Sequence, residues 1–335
     1  MIIDLPDTSV SDIAKRLVSV REEGGAVALG RVLTLIIKSK RRLDEAVIDA
    51  ANDASREHPM RVIVLVTDPR GEAKLDAEIR VGGDAGASEV VVLRAYGPAA
   101  GNEETLITGL LLPDAPVVVW WPDEPPARPG KDALGRIAQR RITDTSTAPY
   151  APDRLRQLDL VYTPGDTDLA WTRLTRWREQ LAAVLDQPPF EPVTAVEVRG
   201  ASTSPSTALL AAWLGMALNV PVEWAYESPE HWTHGIHSVT LHRTGGDIVL
   251  ERHSATHATL TQPGQPDHVL LLPRRSLREC LAEELGQMKE DRTYAEILAA
   301  LERTPSDGEP PFPEEAAASS GLDTRRGATL AYAGR

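Results

Sequence analysis

The sequence predicts an α/β to α+β protein of two domains, each a mixed sheet covered by helices, followed by a disordered C-terminal tail. Three observations lead there. Through the first half, short apolar runs rich in branched residues alternate with segments whose apolar residues recur every three or four positions. Beyond residue 236, strand-like runs follow one another without helices between them. From Thr304 onward, prolines and an Ala-Ala-Ala-Ser-Ser run leave too few large apolar side chains to offset the entropy of ordering. The predicted boundaries are 1–164, 165–303 and 304–335.

Asp7 to Asp12 supplies helix-capping residues, and Ile13, Leu17 and Val20 follow at helical spacing. The first helix is therefore placed at about 9–23, ended by Gly24-Gly25. Residues 31–37 are a dense branched run and read as a buried strand. Residues 41–57 read as a helix with Leu43, Ala46, Val47, Ala50, Ala51 and Ala54 on its apolar side. Strands follow at 58–67, 75–81 and 88–94, the last two spaced like a hairpin, with Asp68-Pro-Arg-Gly71 as a turn. A helix at 103–112 leads to a buried strand at 115–122 that ends in Trp120, Trp121 and Pro122. The pattern then gives a helix at 131–141 and a short strand at 158–163.

The segment from Asp166 to Leu185 reads as one helix. Trp171, Leu174, Trp177, Leu181 and Val184 share a face, while Arg173, Arg176 and Arg178 lie mostly elsewhere. Asp166 and Asp168 sit where the helix dipole favours anions. The second domain starts as α/β: a strand at 193–199, a turn at 200–207, a helix at 208–219 and a strand at 220–226. It continues as strands at about 236–243, 247–253, 257–262 and 268–272, and closes with helices at 276–288 and 293–302.

Composition narrows the function. Net charge is −13, which disfavours nonspecific nucleic-acid binding, since that depends on neutralising phosphates with Lys and Arg. The N-terminus has neither a basic segment nor a long apolar run, so no membrane partner and a cytoplasmic location are expected. Cys280 stands alone, which rules out an intramolecular disulfide and a multi-cysteine zinc site.

Seven of the eight histidines lie between His231 and His268. His237 and His242 are an odd number of residues apart and face opposite sides of a strand. His253 and His257 would be ~13 Å apart along one face. Only His231, His234 and His237, if looped, could converge, so no metal is expected.

The turn holding Gly200, Ser202, Thr203, Ser204, Ser206 and Thr207 offers hydroxyls and backbone N–H groups at a helix N-terminus. It is a candidate anion site for a phosphate or phosphosugar. The plainer account is capping by Ser204 with Pro205 at the first helical position. It lacks the lysine of a phosphate-binding loop and the dinucleotide fingerprint. Gly24, Gly25 and Gly30 precede a strand rather than a helix. No nucleophile elbow or carboxylate pair is evident, so no catalytic residue and no cofactor are expected.

Four segments together resemble the OpcA-type glucose-6-phosphate dehydrogenase assembly proteins of actinobacteria and cyanobacteria. They are His58 to Val66, Pro116 to Pro122, Asp168 to Arg178 and Gly200 to Leu210. The Trp-Trp-Pro and Asp-Leu-Ala-Trp-Thr-Arg stretches are the specific part. The resemblance implies a non-enzymatic partner that helps that oligomeric enzyme assemble, raises its activity and supports NADPH supply through the oxidative pentose phosphate pathway. Redox-active cysteines tune the effect in cyanobacterial relatives, and a lone Cys280 cannot carry that switch over. The expected partner surface comprises Trp120, Trp121, Asp168, Trp171, Arg173, Arg176 and Arg178, because Trp and Arg are common hot spots. The alternative is a sugar-phosphate-binding sensor or small-molecule enzyme built on the 200–207 turn.

Overall fold

In the computed structural model, residues 1–23, 32–39, 44–81, 89–147, 151–227, 232 and 234–301 are described. The Gly24-Gly25 helix stop and the 304–335 tail lie outside them. The chain forms two compact units, both discontinuous in sequence. The first comprises Met1–Ala148, Val161–Thr172 and Arg275–Asp291, and the second the remainder. The sequence suggested one crossing near residue 164, whereas the chain passes between the units repeatedly.

The first unit is built on an eight-stranded sheet. Its strands are β1 (Ile2–Leu5), β2 (Leu33–Ser39), β3 (Met60–Asp68), β4 (Lys74–Arg80), β5 (Glu89–Tyr96), β6 (Val117–Trp121), β7 (Arg140–Thr143) and β8 (Asp166–Asp168). The order is β1-β4-β5-β3-β2-β6-β7-β8. From β5 to β8 every neighbouring pair is parallel. Counted along the chain, those six strands lie in the order 3-2-1-4-5-6, that of doubly wound dinucleotide-binding sheets. The hairpin expected at 75–81 and 88–94 is β4 paired antiparallel with β5. Strand β1 was not anticipated; it pairs with β4 through Ile2 to Leu5.

Both faces of this sheet are covered, so β2 is buried at every position. Helix α1 (Val10–Glu23) places Ile13 and Leu17 against Ile36, Ile63 and Val91. On the other face, α2 (Glu45–Ala54) starts where the Asp44 carboxylate accepts from Ala46 N–H at 3.0 Å. Its Val47, Ile48 and Ala51 pack with Leu35, Val62 and Val64. That core is completed by Cys280, Leu281 and Leu285 of α9 (Leu277–Gly286). The predicted boundaries put α9 in the second domain, yet its apolar side belongs to the first unit. Ser276 and Glu279 form a reciprocal capping box at its start.

Three expectations are corrected here. After the short α3 (Glu103–Thr108), the helix expected at 131–141 is only α4, Ala133–Ile137. Arg140 and Arg141 belong instead to β7, where ladders to β6 and β8 hold them. The strand expected at 158–163 is absent. Leu155 and Leu158, three apart, are the buried side of α5 (Ala151–Asp159). The helix expected from Asp166 to Leu185 is broken. Asp168 ends β8, then α6 (Leu169–Thr172) and α7 (Thr175–Leu185) follow. The division between the units falls in that break, after Thr172.

The second unit carries a six-stranded sheet. Its strands are β9 (Ala195–Ala201), β10 (Val222–Glu227), β11 (Ile236–His242), β12 (Ile248–Arg252), β13 (His257–Thr261) and β14 (His268–Leu271). The order is β10-β9-β11-β12-β13-β14; β10 and β9 are parallel and the other pairs antiparallel. Val196, Val198, Val239, Leu241, Ile248, Leu250, Ala258 and Leu260 form its buried face. Helix α8 (Pro205–Leu218) contacts β9 and β10, and α10 (Arg292–Leu301) packs on α8. The opposite face alternates outward with Glu197, Arg199, Thr240, Glu251, His257 and Thr259.

One buried ion pair fixes α9 in the first unit. Arg140 donates from Nε at 3.0 Å and also from Nη2 to Glu284 Oε2, both side chains being buried. Thr167 at 3.3 Å and Thr172 donate to the other oxygen. Removing one member strands a buried charge. Glu284→Ala should cost about 3–5 kcal/mol in urea unfolding. Arg140→Met with Glu284→Leu should recover at least half of that, because no charge is then left unpaired.

Candidate functional site

The predicted partner face is mostly interior. Trp120, Trp121 and Trp171 are all buried, Trp120 and Trp121 because β6 is covered on both sides. Trp171 Nε1 donates to Asp291 at 2.8 Å. Asp168 is also buried. Its carboxylate accepts from Thr143 Oγ1 at 2.6 Å, the Thr145 backbone at 3.0 Å, Thr145 Oγ1 at 2.9 Å and the Ala170 N–H at 2.8 Å. Burial pushes its pKa up, and the neighbouring Asp144 charge adds to the rise. These four residues build the interior and do not form a docking surface. The rule that overrode the sequence reading is simple: tryptophans at the end of a central parallel strand have layers above and below them.

The three arginines fare differently. Arg173, Arg176 and Arg178 are half-buried and belong to the second unit. Arg176 Nη1 donates to the Pro273 carbonyl at 2.9 Å, and Arg178 Nη2 to Thr175 Oγ1 at 3.0 Å.

The 200–207 turn does bring its six residues together. Ser204 takes an extended N-cap geometry with Pro205 at the first helical position, but its side chain makes no capping bond. Ser206 and Thr207 are buried, Ser202 and Ser204 half-buried, and Thr203 exposed. Thr207 Oγ1 is turned towards Gly200 and has no hydrogen-bond partner among the described residues. Gly200 is required there, because a Cβ would lie 2.8 Å from the Gly235 carbonyl and closer still to Thr207 Oγ1.

In the first sheet the strand order reverses between β2 and β6, where doubly wound folds bind ligands outside the strand ends. Here that crevice holds the chain's own polar groups. Lys38 pairs with Glu103 at 2.8 Å and donates to Thr67, and Ser39 donates to Asp123 at 3.0 Å. No glycine occurs between Arg31 and Arg70, a span that includes the first strand-to-helix turn. Close approach of a pyrophosphate to that turn needs glycine.

The second sheet exposes what the first one covers. On its open face, β14 is an edge strand whose Val269 and Leu271 are each 73% exposed. They lie beside Thr259 and His257 in the antiparallel register. Two large apolar side chains held out on a sheet edge suit pairing with another surface.

Among the described residues no three His, Cys, Asp or Glu side chains converge on one point. His237 is held by Glu227 at 3.3 Å and Glu251 at 3.5 Å and stacks on Trp232; His231 lies outside the described residues. Cys280 is fully buried. Among the described residues no helix is long and apolar enough to cross a membrane.

Comparison with known proteins gives two family models in chain order. Residues 51–160 match the model described as the glucose-6-phosphate dehydrogenase subunit N-terminal domain, and residues 164–298 the corresponding C-terminal domain. A relative from Synechocystis sp. that carries the name OpcA is 36% identical over 103 residues, which is 30% of this chain. The match spans 22% of that relative's length.

Among solved structures, glucose-6-phosphate 1-dehydrogenase from Mycobacterium avium aligns over 81% of this chain and 90% of its own, at 12% identity and a TM-score of 0.41. A Gfo/Idh/MocA family oxidoreductase from Vibrio cholerae aligns over 80% and 94%, at 10% identity and a TM-score of 0.39. An oxidoreductase from Pseudomonas syringae aligns over 82% and 96%, at 10% identity and a TM-score of 0.42.

The turn makes a stability prediction. Gly200→Ala should destabilise by about 1–3 kcal/mol, since a backbone carbonyl must move. Thr207→Val, which replaces an unpartnered buried hydroxyl with a methyl, should be neutral or stabilising by about 1 kcal/mol. Thermal unfolding of the two variants checks both.

Proposed function

The chain belongs to the OpcA-type glucose-6-phosphate dehydrogenase assembly family, and we propose that it is a non-catalytic partner that binds the dehydrogenase and promotes its active oligomer. The observation that carries the reading is the pair of family models matched in order over residues 51–160 and 164–298. In this role the protein supports the oxidative pentose phosphate pathway and NADPH supply in the cytoplasm.

The absence of catalysis is supported by the crevice between β2 and β6. A nicotinamide cofactor there would meet a turn without glycine and the Lys38–Glu103 pair. The partner surface is assigned to the open face of the second sheet, centred on Val269 and Leu271. The buried tryptophans of the sequence reading drop out of it. Arg173, Arg176 and Arg178 are not part of this face.

The mechanism needs little energy. If the open face binds the active oligomer more tightly than the inactive one, the population shifts towards the active state. A tenfold shift takes ~1.4 kcal/mol of differential binding.

The test is turnover of the same organism's dehydrogenase across a titration of this protein, with co-elution on a sizing column. The expected result is a saturable rise in rate. Val269→Glu with Leu271→Glu should weaken co-elution at least about tenfold, since each desolvated interface anchor is worth one to several kcal/mol, and leave thermal stability nearly unchanged. Undiminished co-elution by the double variant would refute this face. Failure of the unaltered protein to bind at all would refute the function.

A further inference from the structure

At one end of the second sheet, three arginines gather. Arg252 is the last residue of β12, on the inner side, and is 3% exposed. Its guanidinium lies 5.4 Å from the centre of the Trp177 ring, and Nη1 donates to the Ala255 carbonyl at 3.2 Å. The backbone N–H of Arg274 reaches the same carbonyl at 3.0 Å. Arg274 is itself exposed, donates from Nη1 to the His234 carbonyl at 2.7 Å and lies 5.6 Å from the Trp232 ring. Arg176 is tied to Pro273, the residue before Arg274.

Among the described residues, the nearby acids are engaged elsewhere. Glu227 holds Arg199 and His237, and Glu251 holds His237. Among the described residues, neither Arg252 nor Arg274 has a carboxylate within ion-pair distance. Each side chain spends one donor on a carbonyl, and a guanidinium has five.

This arrangement is costly unless something completes it. A guanidinium keeps its proton at neutral pH and cannot escape burial by becoming neutral. Burial holds the Arg252 pKa down to about 10, and the Arg274 and Arg176 charges push the same way. Repulsion among the three therefore adds to the desolvation of one of them. The cluster also adjoins the 200–207 turn. Gly235, which accepts from Ala201 N–H at 2.9 Å, lies so close that a Cβ on it would be 3.0 Å from Arg274 Nη1.

We propose that Arg252 and Arg274, with Arg176 beside them and Trp177 and Trp232 as walls, bind a small multiply charged oxyanion, a phosphate ester or a di- or tricarboxylate. Arg274 is the accessible end and Arg252 the buried end, so a compact ligand fits better than a protein side chain on a rigid surface. The anion supplies the counter-charge that Arg252 and Arg274 lack among the described residues, through the bidentate geometry guanidinium groups favour. The site stands independently of the dehydrogenase reading.

The probe is inorganic pyrophosphate, added to the full-length protein at constant ionic strength with sodium chloride as the control. Binding to the folded state alone should raise the melting temperature saturably, by about 2–4 °C near saturation. Arg252→Gln with Arg274→Gln should abolish the rise. If the double variant does not fold, Arg274→Gln alone, at the exposed end, should weaken binding at least about tenfold.

A rise no larger than with chloride, or one the variants retain, overturns the proposal. So does a third result, in which pyrophosphate has no effect but the variants lose co-elution with the dehydrogenase. The cluster would then be a dock for a partner's carboxylates.

Discussion

The Glu284 carboxylate is the point on which the first unit depends. Four donors from Arg140, Thr167 and Thr172 converge on its two oxygens. Through them β7, β8, α6 and α9 are tied together. Burying a charge is unfavourable unless every lone pair is answered. The same requirement fixes α9 over α2, where Cys280, Leu281 and Leu285 close the apolar core. An apolar helix could slide along such a core; one carrying a fully satisfied buried carboxylate has a single position. The lone cysteine is thereby held in the interior, away from redox chemistry.

The two sheets divide the work by how they are covered. The first is enclosed on both faces, and near the strand ends where its order reverses Lys38 pairs with Glu103 and Ser39 with Asp123. The second, among the described residues, carries helices on one face. Its open side ends in exposed apolar residues on an edge strand, and its covered side ends in Arg252 and Arg274, which have no carboxylate partner among the described residues. The surfaces proposed for the partner and for the anion thus both belong to the second unit.

Much of this was legible from sequence, and what was not has a physical reason. β2, β3 and β6 announce themselves because parallel strands buried on both faces are continuous branched runs. The meander from β11 to β14 shows through its alternation. β7 and β8 do not, since Arg140, Arg141, Asp166 and Asp168 look like surface residues. They are drawn inward because each finds a polar partner, Arg141 with Asp166, Arg140 with Glu284 and Asp168 with Thr143 and Thr145, and pairing over such sequence separations leaves no local pattern. Residues 158–163 misled for the opposite reason: a short apolar run is equally strand or helix until its neighbours decide. Trp120 and Trp121 read equally as a partner surface or as a cap on the core, and burial places them in the core. Arg176, Arg252 and Arg274 come from three distant stretches, so no motif could join them.

The interleaving of the units has a consequence for the order in which the protein comes to exist. A ribosome delivers β2, α2 and β3 early, but the helix that completes their core is made only after the whole sheet of the second unit. Until then the core that α2 shares with β2 and β3 lacks Cys280, Leu281 and Leu285. Nascent chains of this protein therefore pass through a long interval in which they suit chaperones better than partners. Neither half is a portable module that can be excised or shuffled by recombination, because cutting at any one point leaves a core open.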